Sequence, residues 1–223
     1  MQSLEEARAI LGDDVLGPEE VMAAFGHASK TNVPLEFTGE QLRAARSAGE
    51  MLVLRVAHLN DNTALTLLQL VPRFPQAFDQ RLLRQAGYQL KDDWGIELEP
   101  LAATDTCAVG WALVRKQILD DSRNCPYDEQ SAALQRYAEA LHVPATTIRR
   151  RSAIETVYDT VLYFAARDVR LLESTWDWSD SRTVDGGYLN VGGFGSGGMQ
   201  ILSYSTAVRH GSLGVCPTRQ RCE

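Results

Sequence analysis

Residues 193–198 read Gly-Phe-Gly-Ser-Gly-Gly, the G-x-G-x-x-G spacing of a loop that can wrap a dinucleotide pyrophosphate. They lie within residues 186–200, which hold seven of the chain's 17 glycines. A pyrophosphate cradle needs a helix directly behind the glycines, because the free N–H groups of its first turn hold the phosphates. The next residues, Met199-Gln200-Ile201-Leu202-Ser203-Tyr204, have β character and no helical stripe. No acidic residue that could hold a ribose comes before Glu223, and no Gly-Lys-Ser/Thr closes a P-loop. Glycines in β context instead mark tight turns and close backbone approaches.

Other chemistry-bearing residues are equally short of a constellation. His210-Gly211-Ser212-Leu213-Gly214 is one residue from G-x-S-x-G, with His210 where the first glycine belongs. It lacks the strand–turn–helix setting of a nucleophile elbow. His27, His58 and His142 stand alone, and Cys107, Cys125, Cys216 and Cys222 contain no Cys-x-x-Cys pair. Free buried thiols are expected, with a Cys216–Cys222 clasp as the alternative if the protein leaves the cell. The acidic stretches 91–99 and 119–124 lack the alternating ligand order of a calcium loop and read as solvated loops. Arg149-Arg150-Arg151, the only basic run, reads as a solvated helix start or a local ion pair. No catalytic residue, metal site or cofactor is assigned.

The elements that must carry any site are those of a soluble globular protein. The 223 residues are 44% apolar and 23% charged, with a net charge of −7 and a pI near 5.2. That balance argues against nucleic acid or anionic lipid as the main partner. No apolar run reaches the length of a membrane span. The acidic, polar start Met1–Asp14 is no signal or transit peptide. A cytoplasmic location is therefore expected, with a phage particle or the cell surface as the alternative by another route.

Helices are expected at 3–12, 17–26, 38–50, 63–74, 76–88, 127–142 and, most strongly, 150–173. Strands are expected around 51–59 and 107–119. After Glu173 the pattern changes to short β-type runs joined by Gly, Asp and Ser turns. Helices first and antiparallel strands last predict an α+β fold. A small N-terminal helical arm and linker over 1–36 is expected to precede the main domain, 37–223.

The last fifty residues carry a more specific pattern. The run Trp176-Asp177-Trp178-Ser179-Asp180-Ser181-Arg182, the glycine-rich stretch to Ile201, and Ser212-Leu213-Gly214-Val215-Cys216-Pro217-Thr218-Arg219 resemble the closing half of a C-type-lectin-type domain. They are most similar to the variable proteins of diversity-generating retroelements. Leu16–Gly26, Phe37–Val56, Gly110–Lys116 and Leu171–Arg182 are further similar to an uncharacterised family common in uncultured candidate-phylum bacteria. Val215-Cys216 stands where that fold usually has Phe-Arg.

The resemblance implies a non-catalytic binding protein whose C-terminal surface, near residues 183–213, meets a macromolecular ligand, a protein by preference. Its implied contact residues are Tyr188, Asn190, Ser196, Met199, Gln200, Ser203, Tyr204, Ser205, Thr206, Arg209, His210 and Ser212. Tyr supplies rigid amphipathic area, and the small polar groups supply adaptable hydrogen bonds. Beneath them Trp176, Trp178, Leu189, Val191, Ile201, Leu213 and Val215 are expected to form the β part of the core, against helix 152–173. Two alternatives stay open: a formylglycine-generating-type oxidase using a reactive Cys216, and a phage or surface structural protein with a fixed partner.

Overall fold

The computed structural model describes residues 3–26, 33–84, 87–91 and 94–220; His27 and Cys222 lie outside them. The elements run α1 (Leu4–Leu11), β1 (Val15–Leu16), α2 (Pro18–Phe25), α3 (Gly39–Ser47), β2 (Glu50–Arg55), α4 (Leu67–Arg73), β3 (Leu83–Arg84), β4 (Gly87–Lys91), β5 (Trp94–Gly95), α5 (Pro100–Thr104), β6 (Gly110–Arg115), α6 (Ser131–Ala140), β7 (Arg149–Arg150), α7 (Ala153–Arg167), β8 (Trp176–Arg182), β9 (Tyr188–Gly195), β10 (Gly198–Tyr204), β11 (Leu213–Gly214) and β12 (Pro217–Gln220). The fold is α+β.

Local signals set many of these bounds. Ser3 and Glu6 cap α1 reciprocally, as Thr38 and Gln41 do α3 and Ser152 and Glu155 do α7. Pro18 opens α2 and a left-handed Gly26 closes it. Helix α7 stops at Arg167, where Asp168 turns left-handed (φ 53°), so it is shorter than the sequence suggests. The expected helix over 76–88 is a correction. Only a short turn forms at Pro75–Ala77, and β3 begins at Leu83. Asp79 explains the break: its carboxylate accepts from the Arg81 backbone N–H at 3.0 Å, a bond that competes with a continuing helix. Gln85 and Ala86 of that stretch lie outside the described residues.

The sheets have the orders β1-β2-β6-β12-β7, β10-β9-β8-β11 and β3-β4-β5. All pairs are antiparallel except β1–β2 and β11–β8. Helix α7 lies between the first two sheets, with Ile154, Val157, Val161 and Leu162 in one apolar cluster with Leu52 and Leu54 of β2 and with Leu189, Val191 and Ile201 of β9 and β10. Ala7 and Val15 from the N-terminal region join the same cluster. A second cluster gathers Tyr137 and Ala138 of α6 with Ile148 and Val215.

Gly187, Gly192, Gly193 and Gly198 serve close packing. A side chain at Gly192 would overlap the Thr175 carbonyl, and one at Gly198 (φ +102°) would overlap the Phe78 backbone. They let the β9–β10 hairpin lie hard against its neighbours, and the chain continues from them into β10 rather than into a helix.

Candidate functional site

The C-terminal sheet has two faces of opposite character, because alternate residues of a strand point to opposite sides. On the α7 side, β8 presents Asp177, whose carboxylate accepts from Arg151 Nε at 2.9 Å, from the Thr156 hydroxyl at 3.0 Å and from the Cys216 backbone N–H at 2.7 Å. Arg151 also reaches Asp159 at 3.2 Å. Asp159 in turn pairs with Arg55 at 2.6 Å, and Arg55 reaches Glu155 at 2.7 Å. Arg149 closes the series on Glu155 at 2.6 Å. Three guanidinium groups thus meet three carboxylates, so the lattice is neutral, and all of it but the Arg149 side chain is buried.

The charges hold because each has partners. Burial disfavours the ionised form of Glu155, but Arg55 and Arg149 outweigh it and bring the pKa down to about 2. The same lattice corrects the expectation for the arginine run. Only Arg149 makes the local ion pair; Arg150 and Arg151 are 7% and 1% exposed. Arg150 donates to Gln130 Oε1, the Trp178 carbonyl and the Tyr127 carbonyl, and its guanidinium lies 4.0 Å above the Tyr127 ring.

The outward face is aromatic. Tyr127 meets Trp178 edge-on at 5.3 Å and stacks on Tyr188 at 4.1 Å. Across this face the segment after β10 runs back toward β11. It is held by the segment preceding α6: Tyr127 N–H donates to the Thr206 carbonyl at 3.0 Å and Asn124 N–H to the His210 carbonyl at 3.1 Å. Arg209 bonds the Asn124 carbonyl and the Glu129 carboxylate, the latter at 2.6 Å. Asn124, Tyr127 and Glu129 were not among the sequence candidates; their partners lie some eighty residues away, and no local signal points there.

The expected contact residues divide into three groups. Tyr204, Ser205, Arg209 and His210 are exposed, and Tyr188, Thr206 and Ser212 half-buried, all along the returning segment or the strand ends beside it. Ser196 is exposed and Gln200 half-buried, but both belong to the other end of the β9–β10 hairpin, where Gln200 bonds Asp79 at 3.1 Å. Asn190 and Met199 are 0% exposed and Ser203 is 7% exposed. These three are a correction: they are interior residues. The backbone register explains Asn190, which sits opposite Trp178 on β8 and Leu202 on β10 in the middle of the sheet. Both polar atoms of its amide, and the nearby Trp178 Nε1, are buried without a hydrogen-bond partner.

The expected β core is found at Trp178, Leu189, Val191, Ile201, Leu213 and Val215, each 2% exposed or less. Trp176 is the exception, half-buried on the outward face with its ring 6.5 Å from that of His210. Trp178 faces Tyr127, away from α7, and Val215 joins the α6 cluster.

Family models, curated proteins and solved structures offer no match to this chain. Its chemistry must be read from the geometry alone. Ser212 Oγ lies 3.0 Å from His210 Nδ1, which the Ser212 backbone N–H also approaches at 3.3 Å. This is a local turn bond, and among the described residues no carboxylate orients the ring. Cys216 is wholly buried, and burial together with the Asp177 charge pushes its thiol pKa well up, the opposite of what a reactive nucleophile needs. Among the described residues no group of three His, Cys, Asp or Glu side chains could hold a metal, and no helix is long and apolar enough to cross a membrane. Beside the exposed group is a polar cleft of about 180 Å³, lined by Asp185, Gly186, Gly187, Ser203, Ser205 and Thr206. The arrangement presents exposed hydrogen-bonding groups and aromatic area.

Proposed function

We propose that the protein is a non-catalytic binding module of C-type-lectin-like type, and that the returning segment with Tyr188, Tyr204, Ser205, Thr206, Arg209, His210 and Ser212 meets a protein ligand. The observation that carries this is the separation of layers. These polar and aromatic side chains lie at the ends of β9 and β10 and on the segment that follows β10, while Trp178 beneath them, and Asp177 and Arg151 on the sheet's other side, are fixed in the interior. Tyr and Arg are favoured interface anchors, and a rigid support lowers the ordering cost of binding. Such a surface tolerates changed side chains without loss of the fold, which suits the variable protein of a diversity-generating retroelement.

The test is a display library randomised at 204–206, 209, 210 and 212 with everything else kept. Folded variants in the majority, and selection of binders to unrelated protein targets, would support the proposal. A library in which most variants fail to fold would overturn it. For the retroelement origin, the deciding observation is a neighbouring reverse-transcriptase gene with a near-copy of the 3′ coding end differing at adenines. Without that pair, the same surface is a fixed interface.

A further inference from the structure

A cleft of about 760 Å³ lies away from the proposed ligand surface, between α3 and α6. That volume is in the range of small-molecule sites. Ala44, Ala48, Leu141 and Val143 give it apolar walls, and Arg115 and Tyr137 polarise its floor. Beneath them Glu50 of β2, 1% exposed, is already engaged twice. Arg219 reaches its Oε2 at 2.6 Å, and the Tyr137 hydroxyl donates to its Oε1 at 2.8 Å. Burial and the adjacent Glu50 charge push the Tyr137 pKa up, so the phenol stays a neutral donor.

Arg115 is the residue left over. It stands directly across the strand pair from Glu50, yet no carboxylate of the described residues lies within ion-pair distance of it. Its Nη1 donates to the Ala48 carbonyl at 2.7 Å, its guanidinium lies 5.6 Å from the Tyr137 ring centre, and its Nε is buried with no hydrogen-bond partner. The floor therefore holds two guanidinium groups and one carboxylate, a surplus of one positive charge. Glu40, the only carboxylate among the described residues lining the cleft, is exposed in the first turn of α3 and makes no ion pair with Arg115. A half-buried guanidinium with no carboxylate partner favours an anion at its accessible edge. Apolar walls favour a ligand whose remaining body is hydrocarbon.

We propose that this cleft binds a small monocarboxylate with an apolar body, its carboxylate on Arg115 and its chain along Ala44, Leu141 and Val143. The whole chain would be titrated calorimetrically with sodium hexanoate, and in parallel with hexanamide and inorganic phosphate. Saturable hexanoate binding at one site is expected, at least about tenfold tighter than hexanamide, because the difference is a charge-assisted bond. Arg115→Gln should weaken hexanoate by about tenfold while leaving hexanamide unchanged, with circular dichroism establishing that the variant folds. Leu141→Trp, which fills the wall and leaves Arg115 in place, should block both ligands. Hexanoate that does not bind, binds no better than hexanamide, or binds equally well to Arg115→Gln would overturn the proposal. So would phosphate binding more tightly than hexanoate. None of these variants touches residues 204–212, so the outcome is independent of the ligand surface.

Discussion

Arg151 and Arg209 are the same residue type in opposite circumstances. Arg151 is buried and bonded to two interior carboxylates that tie α7 to β8, whereas Arg209 pairs with Glu129 in a contact where both side chains are about half exposed. Removing one partner of a buried pair leaves an uncompensated charge with no access to water, while a surface pair separates into solvent at little cost. The interior lattice is thus where a changed side chain should cost most, and the outer segment where it should cost least. The contrast holds although the two regions are joined through β8 and β11 within one sheet.

The sharpest way to break that comparison is to open the lattice at its shared residue. Asp159 serves both Arg55 and Arg151, so Asp159→Ala takes one of two carboxylate partners from each and leaves the interior with one positive charge in excess. A loss of about 3–5 kcal/mol in urea unfolding is expected. A loss under about 1 kcal/mol would mean that water reaches the lattice and that the two regions do not differ as argued.

Asn190 probes the boundary between the two layers. It is fully buried and its amide is unpartnered, so Asn190→Leu, which removes the polar group at similar volume, should leave stability unchanged or raise it. Asn190→Asp places a charge in the same position and should cost about 3 kcal/mol at neutral pH, the cost shrinking in acid as the carboxyl takes up a proton. Equal melting temperatures for the two variants would mean that Asn190 meets solvent and belongs to the ligand surface after all.

How much of this is legible in the sequence depends on the range of the interaction. The apolar spacing of Ile154, Val157 and Val161 announces the buried face of α7, although the helix begins at Ala153 rather than at Arg150, where the sequence suggests its start. The glycine stretch is separable from a nucleotide loop because Met199–Tyr204, directly behind it, has β character and forms β10. The lattice is not legible, since Arg55 finds Asp159 across 104 positions and Arg151 finds Asp177 across 26. A basic run in an acidic chain looks solvated until its partners are placed beside it. Asn190 fails for a related reason: a polar residue in an alternating strand is taken as outward and wet, whereas its place between β8 and β10 makes it interior.

Acid should expose the lattice more gently than mutation does. The folded-state pKa of Glu155 is lowered to about 2 from an ordinary 4.5, so its contribution is complete above pH 4.5. It is lost as the pH falls through 4.5 toward 2, because the unfolded chain takes up the proton first. The melting temperature should therefore hold level from pH 6 to 5 and fall below 4.5. Arg149→Gln, which removes one of the two cations depressing that pKa, should lower stability at pH 6 and make the acid fall shallower. An acid fall of unchanged steepness in the variant would place the sensitivity elsewhere, for instance at Glu20, also lowered to about 2 by Arg8 and Arg167 against its own burial.

The smallest effects are expected on the outer segment, and they test the surface side of the comparison. Tyr204→Ala and His210→Ala remove exposed side chains that anchor no interior group, so each should change stability by about 0.5 kcal/mol or less. Arg209→Ala also loses its bonds to Glu129 and to the Asn124 carbonyl, so a cost of up to about 1 kcal/mol is expected. All three should keep the backbone pairing of Tyr127 with Thr206 and of Asn124 with His210, since no side chain takes part in it. Amide exchange at Tyr127 and Asn124 reads that directly. Protection within about threefold of wild type in each variant would mark the segment as a scaffold indifferent to its side chains. Exchange accelerated a hundredfold by His210→Ala or Tyr204→Ala would mean that the side chains hold the segment down, and that a surface varied at these positions would not keep its shape.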